Sequence, residues 1–106
     1  MPENELELHP QALEDALAGY SWYLEHSDTA ANRFLAELDR AVLLILEGPH
    51  RWPAYLHGTR RFVLVKFPYS IVYREWKGIV VIYAFAHSKR RPGYWRERLR
   101  WGRPRV

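Results

Sequence analysis

The chain has 106 residues, of which 48% are hydrophobic and 15% aromatic, and its net charge is +4. This is the length of one domain, 1–106, with enough apolar content for a real core. With no cysteine, disulfides and thiolate metal sites are excluded, the acidic start MPENELELHP reads against a secretion signal, and apolar runs such as Ala41 to Leu46 are too short to span a bilayer.

A cytoplasmic protein with no membrane partner is therefore expected. Its charge is divided along the chain. Residues 1–50 carry ten acidic and two basic side chains, while residues 51–106 carry fourteen basic and two acidic ones. Such asymmetry favours an anionic partner for the basic half, although two halves that solvate themselves or pair with each other give the same pattern.

In chain order, Glu5-Leu6-Glu7-Leu8 alternates as a short strand does. Pro10 suits a helix start. From Gln11, Leu13, Ala16, Leu17, Tyr20 and Leu24 recur at helical spacing and predict one apolar face. Trp22 and Tyr23 cannot both lie on that face, so one is expected at the surface. Ser27-Asp28 stops this helix and caps the next, in which Ala31, Phe34, Leu35, Leu38, Val42 and Ile45 form the apolar stripe. Gly48-Pro49 ends it, with Gly48 suited to a left-handed terminus. The short link predicts an antiparallel helical hairpin.

Residues 49–58 read as a loop. Three runs follow that are rich in β-branched and aromatic residues: Arg60–Phe67, Tyr69–Trp76 and Ile79–His87. Pro68 bends the chain between the first two, and Lys77-Gly78 is a two-residue hairpin turn. The last run, almost wholly apolar, is expected to be central and the most buried. Alternation puts Phe62 and Leu64 under the helices and Arg61 on the outer face. The fold class is α+β: a short N-terminal strand, then an antiparallel helical hairpin packed on a three- to four-stranded antiparallel meander. A short C-terminal helix and basic tail end it, with Gly102-Arg103-Pro104 expected to fray.

The tail AHSKRRPGYWRERLRWGRPRV holds eight Arg or Lys and one acidic residue, interleaved with Tyr94, Trp95 and Trp101. Lys89, Arg90 and Arg91 can neutralise phosphates or hold an acidic peptide laid along the sheet. Tyr94 and Trp95 can stack on unpaired bases, or the tryptophans can pack back on the core. His87 ends a strand beside this cluster. It is a candidate for proton transfer, or else a residue that orders the tail. No metal-ligand spacing occurs, and no metal or cofactor is expected.

Two stretches, GTRRFVLVKFPYSIVYRE and IVVIYAFAHSKRRPGYW, follow the helical hairpin. They bring Gly58, Arg60, Arg61 and Phe62, then Pro68, Tyr69, Ile71, Tyr73 and Arg74, then His87, Lys89, Arg90, Arg91 and Trp95. In this order and spacing the chain resembles the RelE/ParE superfamily of bacterial toxins, from about Leu6 to Leu99. The resemblance implies a type II toxin that arrests growth and is neutralised by a cognate antitoxin. It implies one of two targets: DNA gyrase for ParE-like members, or ribosome-bound mRNA for RelE-like endoribonucleases. RelE-like enzymes use lysines on the first meander strand, arginines on later strands and a tyrosine near the C-terminus. Here Arg61 and Val63 stand at the lysine positions, Ser70 at an arginine position, Lys89 near the later arginine, and Trp95 at the tyrosine position beside Tyr94. These departures give the gyrase reading a slight lead. A ribonuclease would rest on His87, Lys89 and Tyr94 as catalytic residues. In either case Arg61, Lys89, Arg90, Arg91 and Trp95 are the candidate target contacts. A non-toxic binding domain of the same fold is the third expectation.

Overall fold

The computed structural model describes residues 4–101, so the expected fraying of Gly102-Arg103-Pro104 lies outside the described residues. Strand β1 (Glu5–Leu8) leads into helix α1 (Pro10–His26), and helix α2 (Asp28–Glu47) returns. A loop with two short 3-10 turns follows, then β2 (Arg60–Val63), β3 (Tyr69–Trp76), β4 (Ile79–His87) and a last 3-10 turn at Arg96–Arg100.

The expected elements are present, with Ser27 Oγ accepting from Ala30 N to cap α2. The sheet order is β1-β4-β3-β2. Strands β2, β3 and β4 form the antiparallel meander. The sheet is nevertheless mixed, because β1 runs parallel to β4, with Leu6 opposite Val80 and Leu8 opposite Ile82. Parallel neighbours need a long crossover, and the helical hairpin is part of the connection that carries the chain from β1 to the meander. Lys77 and Gly78 both have positive φ, 46° and 85°, as a tight β3–β4 turn requires.

Strand β2 ends at Val63 rather than at Phe67. Tyr69 N–H donates to the Phe67 carbonyl at 2.8 Å, a turn too tight for a strand. It swings the Phe67 ring inward, 5.2 Å from Tyr23 and 5.4 Å from Phe34. Gly48 is not left-handed, having φ −159°. Instead, the Arg51 guanidinium lies where its side chain would be.

The apolar stripe predicted for α1 is turned away from its true position. Leu13, Leu17 and Leu24 are exposed, as is Leu35 on α2. The buried face of α1 carries Ala12 and Gly19, with Ala16, Tyr20 and Tyr23 beside them. Small residues let the helix approach its neighbours closely; leucines would hold it off. A Cβ on Gly19 would stand 2.8 Å from Tyr69 Oη and 2.9 Å from Phe34 Cζ. Gly19→Ala is therefore expected to destabilise the protein by about 1–3 kcal/mol through overpacking, despite alanine's better helix propensity. An unchanged or raised melting temperature would contradict this.

The face of the sheet towards the helices contributes Phe62, Leu64, Ile71, Tyr73, Val80, Ile82 and Phe85 to the main core. Tyr83 is an extra residue of β4 at a bulge, since Val72 pairs with Ala84 but Tyr73 pairs with Ile82. With the bulge, the neighbours Tyr83 and Ala84 both join Val81 on the outer face, where Trp95 and Leu99 cover them. The 49–59 loop is tied down by polar anchors. Tyr73 Oη donates to the Pro49 carbonyl at 2.6 Å, Arg60 to the Trp52 carbonyl at 2.6 Å, and Arg74 to the His57 carbonyl at 2.7 Å.

Candidate functional site at the C-terminal segment

Strand β4 ends at His87, and the chain turns at once. Ser88 N–H donates to the Pro68 carbonyl at 2.8 Å, and Arg90 N–H to the His87 carbonyl at 3.0 Å. His87 Nδ1 accepts from Lys89 N at 3.0 Å, and its ring stands edge-on to Tyr69, centroids 5.0 Å apart. That is the geometry of a residue that orders the turn. The turn leaves Lys89, Arg90 and Arg91 exposed.

The next residues do not form a solvated tail. Gly93 has φ 82°, a conformation that favours glycine, and it reverses the chain onto the outer face of the sheet. Trp95, expected among the target contacts, is only 1% exposed. Its ring lies against Tyr55 and His57, with centroids 6.0 and 5.9 Å away. It is a core residue and offers no face to a base. An indole of that size gains far more from covering Val81 and Ala84 than from standing in water.

Tyr94 is half-buried, and its hydroxyl donates to Asp15 Oδ2 at 3.3 Å. Burial, then the Asp15 carboxylate, push its pKa up to about 12, against the smaller opposing pull of Arg98 and Arg90. A phenol so held is no base near neutral pH. Its ring carries the Arg90 guanidinium 3.8 Å from the centroid.

Asp15 is the residue that sequence reasoning missed. Besides Tyr94, it accepts from Arg98 at 2.7 and 3.3 Å and from Phe85 N at 3.2 Å. Arg98 also donates to the Tyr83 carbonyl at 3.0 Å. Paired β1 residues end opposite Ile82, so Asp15 satisfies the amide of Phe85 beyond them. A carboxylate set among Ala12, Ala16 and Gly19 was the available signal, because a charge on a buried helix face must have partners.

Arg61 lies on the outer face as expected, with its guanidinium 4.1 Å over the Tyr55 ring. It sits on the edge strand, at the side of the sheet remote from β1. Among the described residues no group of three His, Asp or Glu could hold a metal ion, and no helix is long and apolar enough to cross a membrane.

His9 closes the far end of this segment. It is buried, and its Nδ1 accepts from Gln11 N at 2.9 Å as the α1 cap. Its ring stands 5.2 Å from Trp101 and 6.4 Å from Tyr83. Burial, then Arg98, lower its pKa below 6.5, with Asp15 opposing. A depressed folded pKa means that stability is whole above pH 6.5 and declines as pH falls through the lower folded value. Protonation would also turn the capping acceptor into a donor facing an N–H. Wild type is expected to lose melting temperature between pH 7 and 5, and His9→Asn, which caps without titrating, to lose less. Equal losses would contradict the assignment.

Comparison with known proteins agrees with this architecture. The family model described as "ParE toxin of type II toxin-antitoxin system, parDE" matches residues 6–92. A solved structure titled "Chromosomal ParDE TA system from P. aeruginosa" is similar to the chain with a TM-score of 0.67 at 17% identity, over 84% of this chain and 100% of that one. At that identity the likeness bears on fold alone. No curated protein matches. The family match runs from within β1 through the helical hairpin and the whole meander, so the chain belongs to the ParE toxin family of type II toxin-antitoxin systems.

Proposed function

We propose that the protein arrests growth by inhibiting DNA gyrase, that the exposed turn Lys89–Arg91 is its target-binding surface, and that a cognate antitoxin neutralises it. The observation that carries the gyrase reading is the covering of the outer sheet face by Trp95 and Leu99. RNA cleavage through the 2′-hydroxyl needs a base, an acid and cations around one phosphate on an open surface. Of the candidates, the Tyr94 hydroxyl is committed to Asp15 and His87 Nδ1 to the backbone of its own turn. What remains exposed is charge suited to binding rather than to catalysis.

The antitoxin reading draws on the β2 edge. Val63 and Val65 stand in solvent there, Val65 at 89% exposure. Residues 53 and 54 already cover the start of this edge, where Ala54 pairs with Arg60 and Arg61 N–H donates to the Pro53 carbonyl at 3.1 Å. Beyond them, towards Val63, the edge strand presents backbone groups for pairing, and exposed valines add an apolar strip. A cleft of about 450 Å³ lies at its end, lined in part by Val63, Val65, Lys66 and Ser88. An extended acidic segment fits this edge by strand addition.

The deciding test is supercoiling by purified gyrase in the presence of the purified toxin, together with transcript 5′-end mapping minutes after induction without antitoxin. Inhibited supercoiling with intact transcripts is expected. New ends at fixed positions within translated codons would overturn the reading in favour of a ribosome-dependent ribonuclease. Undisturbed growth with a folded protein would mark a non-toxic binding domain.

A further inference from the structure

We propose that Asp15, on the first helix, is a positioning residue for the basic turn, acting through Tyr94 on Arg90. This rests on the reading of that turn as the target surface. The connection is short and continuous. Asp15 Oδ2 accepts from Tyr94 Oη at 3.3 Å, and the Tyr94 ring holds the Arg90 guanidinium at 3.8 Å. Asp15 is itself fixed by Arg98 at 2.7 Å and by Phe85 N at 3.2 Å. The side chains of Asp15 and Arg98 are only 12% and 11% exposed, so their pairing is little screened by solvent. Arg98 in turn lies 5.1 Å from the Tyr94 centroid.

The chemistry gives this chain of contacts a purpose. An exposed arginine samples many rotamers and loses that freedom when it binds. A guanidinium stacked on an immobile ring has already lost much of it. Arg90 is thus presented in one direction, whereas Lys89 and Arg91 have no ring contact among the described residues. The acidic half of the chain then does more than solvate itself: one of its carboxylates organises the basic half.

The test uses the full chain with two variants, Asp15→Asn and Tyr94→Phe, the second of which leaves Asp15, Arg98 and the ring in place. Two readouts are taken. In proton NMR the Arg90 side chain is expected to show a ring-current shift that collapses in Asp15→Asn and shrinks in Tyr94→Phe, while the Trp95 indole signal stays put as a sign of intact packing. In gyrase inhibition, Tyr94→Phe is expected to raise the half-inhibitory concentration roughly five-fold alone and not at all in an Arg90→Gln background, the signature of action through Arg90. Equal losses in both backgrounds, or an Arg90 shift untouched by either variant, would overturn the proposal. The two readings can fail separately. If Lys89→Glu/Arg90→Glu/Arg91→Glu still inhibits gyrase, the target surface is wrong, and the Arg90 shift alone then decides whether Asp15 positions it.

Discussion

Replacing Lys89, Arg90 and Arg91 together with Glu is expected to abolish growth arrest and leave the fold untouched. All three side chains are exposed, and the turn they decorate is held by backbone bonds from Ser88 and Arg90 that no substitution at these positions removes. Surface changes of this kind move stability by about 0.5 kcal/mol or less each. The exception is Arg90, whose stacking on Tyr94 is worth about 0.5–1 kcal/mol at an exposed site. The three together cost at most about 2 kcal/mol, so the melting temperature should fall by roughly ten degrees or less and the variant stay folded.

Binding is affected very differently. Reversal replaces three attractions to an anionic surface with three repulsions, and like-charge juxtaposition across an interface costs several kcal/mol. A loss of target affinity of at least a hundredfold follows, about 2.7 kcal/mol. Growth after induction, together with the melting curve of the purified variant, makes the check. A folded triple variant that still arrests growth would remove the turn from the mechanism. The antitoxin complex gives a second reading of the same variant. If the acidic segment lies mainly along Val63 and Val65, antitoxin affinity should fall less than target affinity does.

Much of the architecture was legible because local rules and global packing agree. The Ser27 cap, the Lys77-Gly78 turn and the apolar run of β4 each obey a local rule that the fold also needs. The strand direction of β1 was not legible, because four alternating residues carry no information about which neighbour they meet. The α1 face was misread because hydrophobicity weighs Leu13 and Leu17 above Ala12 and Gly19, while packing at this helix is governed by how closely backbone and aromatic rings can approach. In the tail, Lys89, Arg90 and Arg91 are placed in solvent as composition suggested. For Trp95 two readings stayed open, a target contact or a residue packed back on the core, since an aromatic residue among arginines has the same local signature on a binding surface as in a small second core; the second holds. What separates the two is the β4 bulge at Tyr83, which turns Tyr83 and Ala84 both outward beside Val72 and Val81 and so widens an apolar face that must be covered. Sequence spacing does not announce a bulge.

Trp95→Ala is expected to be the most destabilising single substitution in the C-terminal segment. Trp95 is the largest of the fully buried side chains, and it joins Val72, Val81, Tyr83, Ala84 and Leu99 in the outer core. Truncating a buried tryptophan costs about 3–5 kcal/mol, against a total stability of about 5–15 kcal/mol for a domain of this kind. At about 4–8 °C per kcal/mol for a domain of about 100 residues, melting should fall by well over ten degrees. The outer face of β3 and β4 would lose its cover, and the Tyr83 amide region should exchange hydrogen early. Trp101→Ala supplies the contrast. Its ring is 38% exposed and touches His9, while the contact that fixes it to Tyr83 is made by its backbone carbonyl and survives truncation. It should cost about 1 kcal/mol or less. The pair distinguishes two roles for tryptophan in a basic segment. A stacking residue at a target surface would lose affinity and keep its melting temperature. A core residue loses its melting temperature first, and recovers much of it in Trp95→Phe, because a smaller ring still excludes water from Val81 and Ala84.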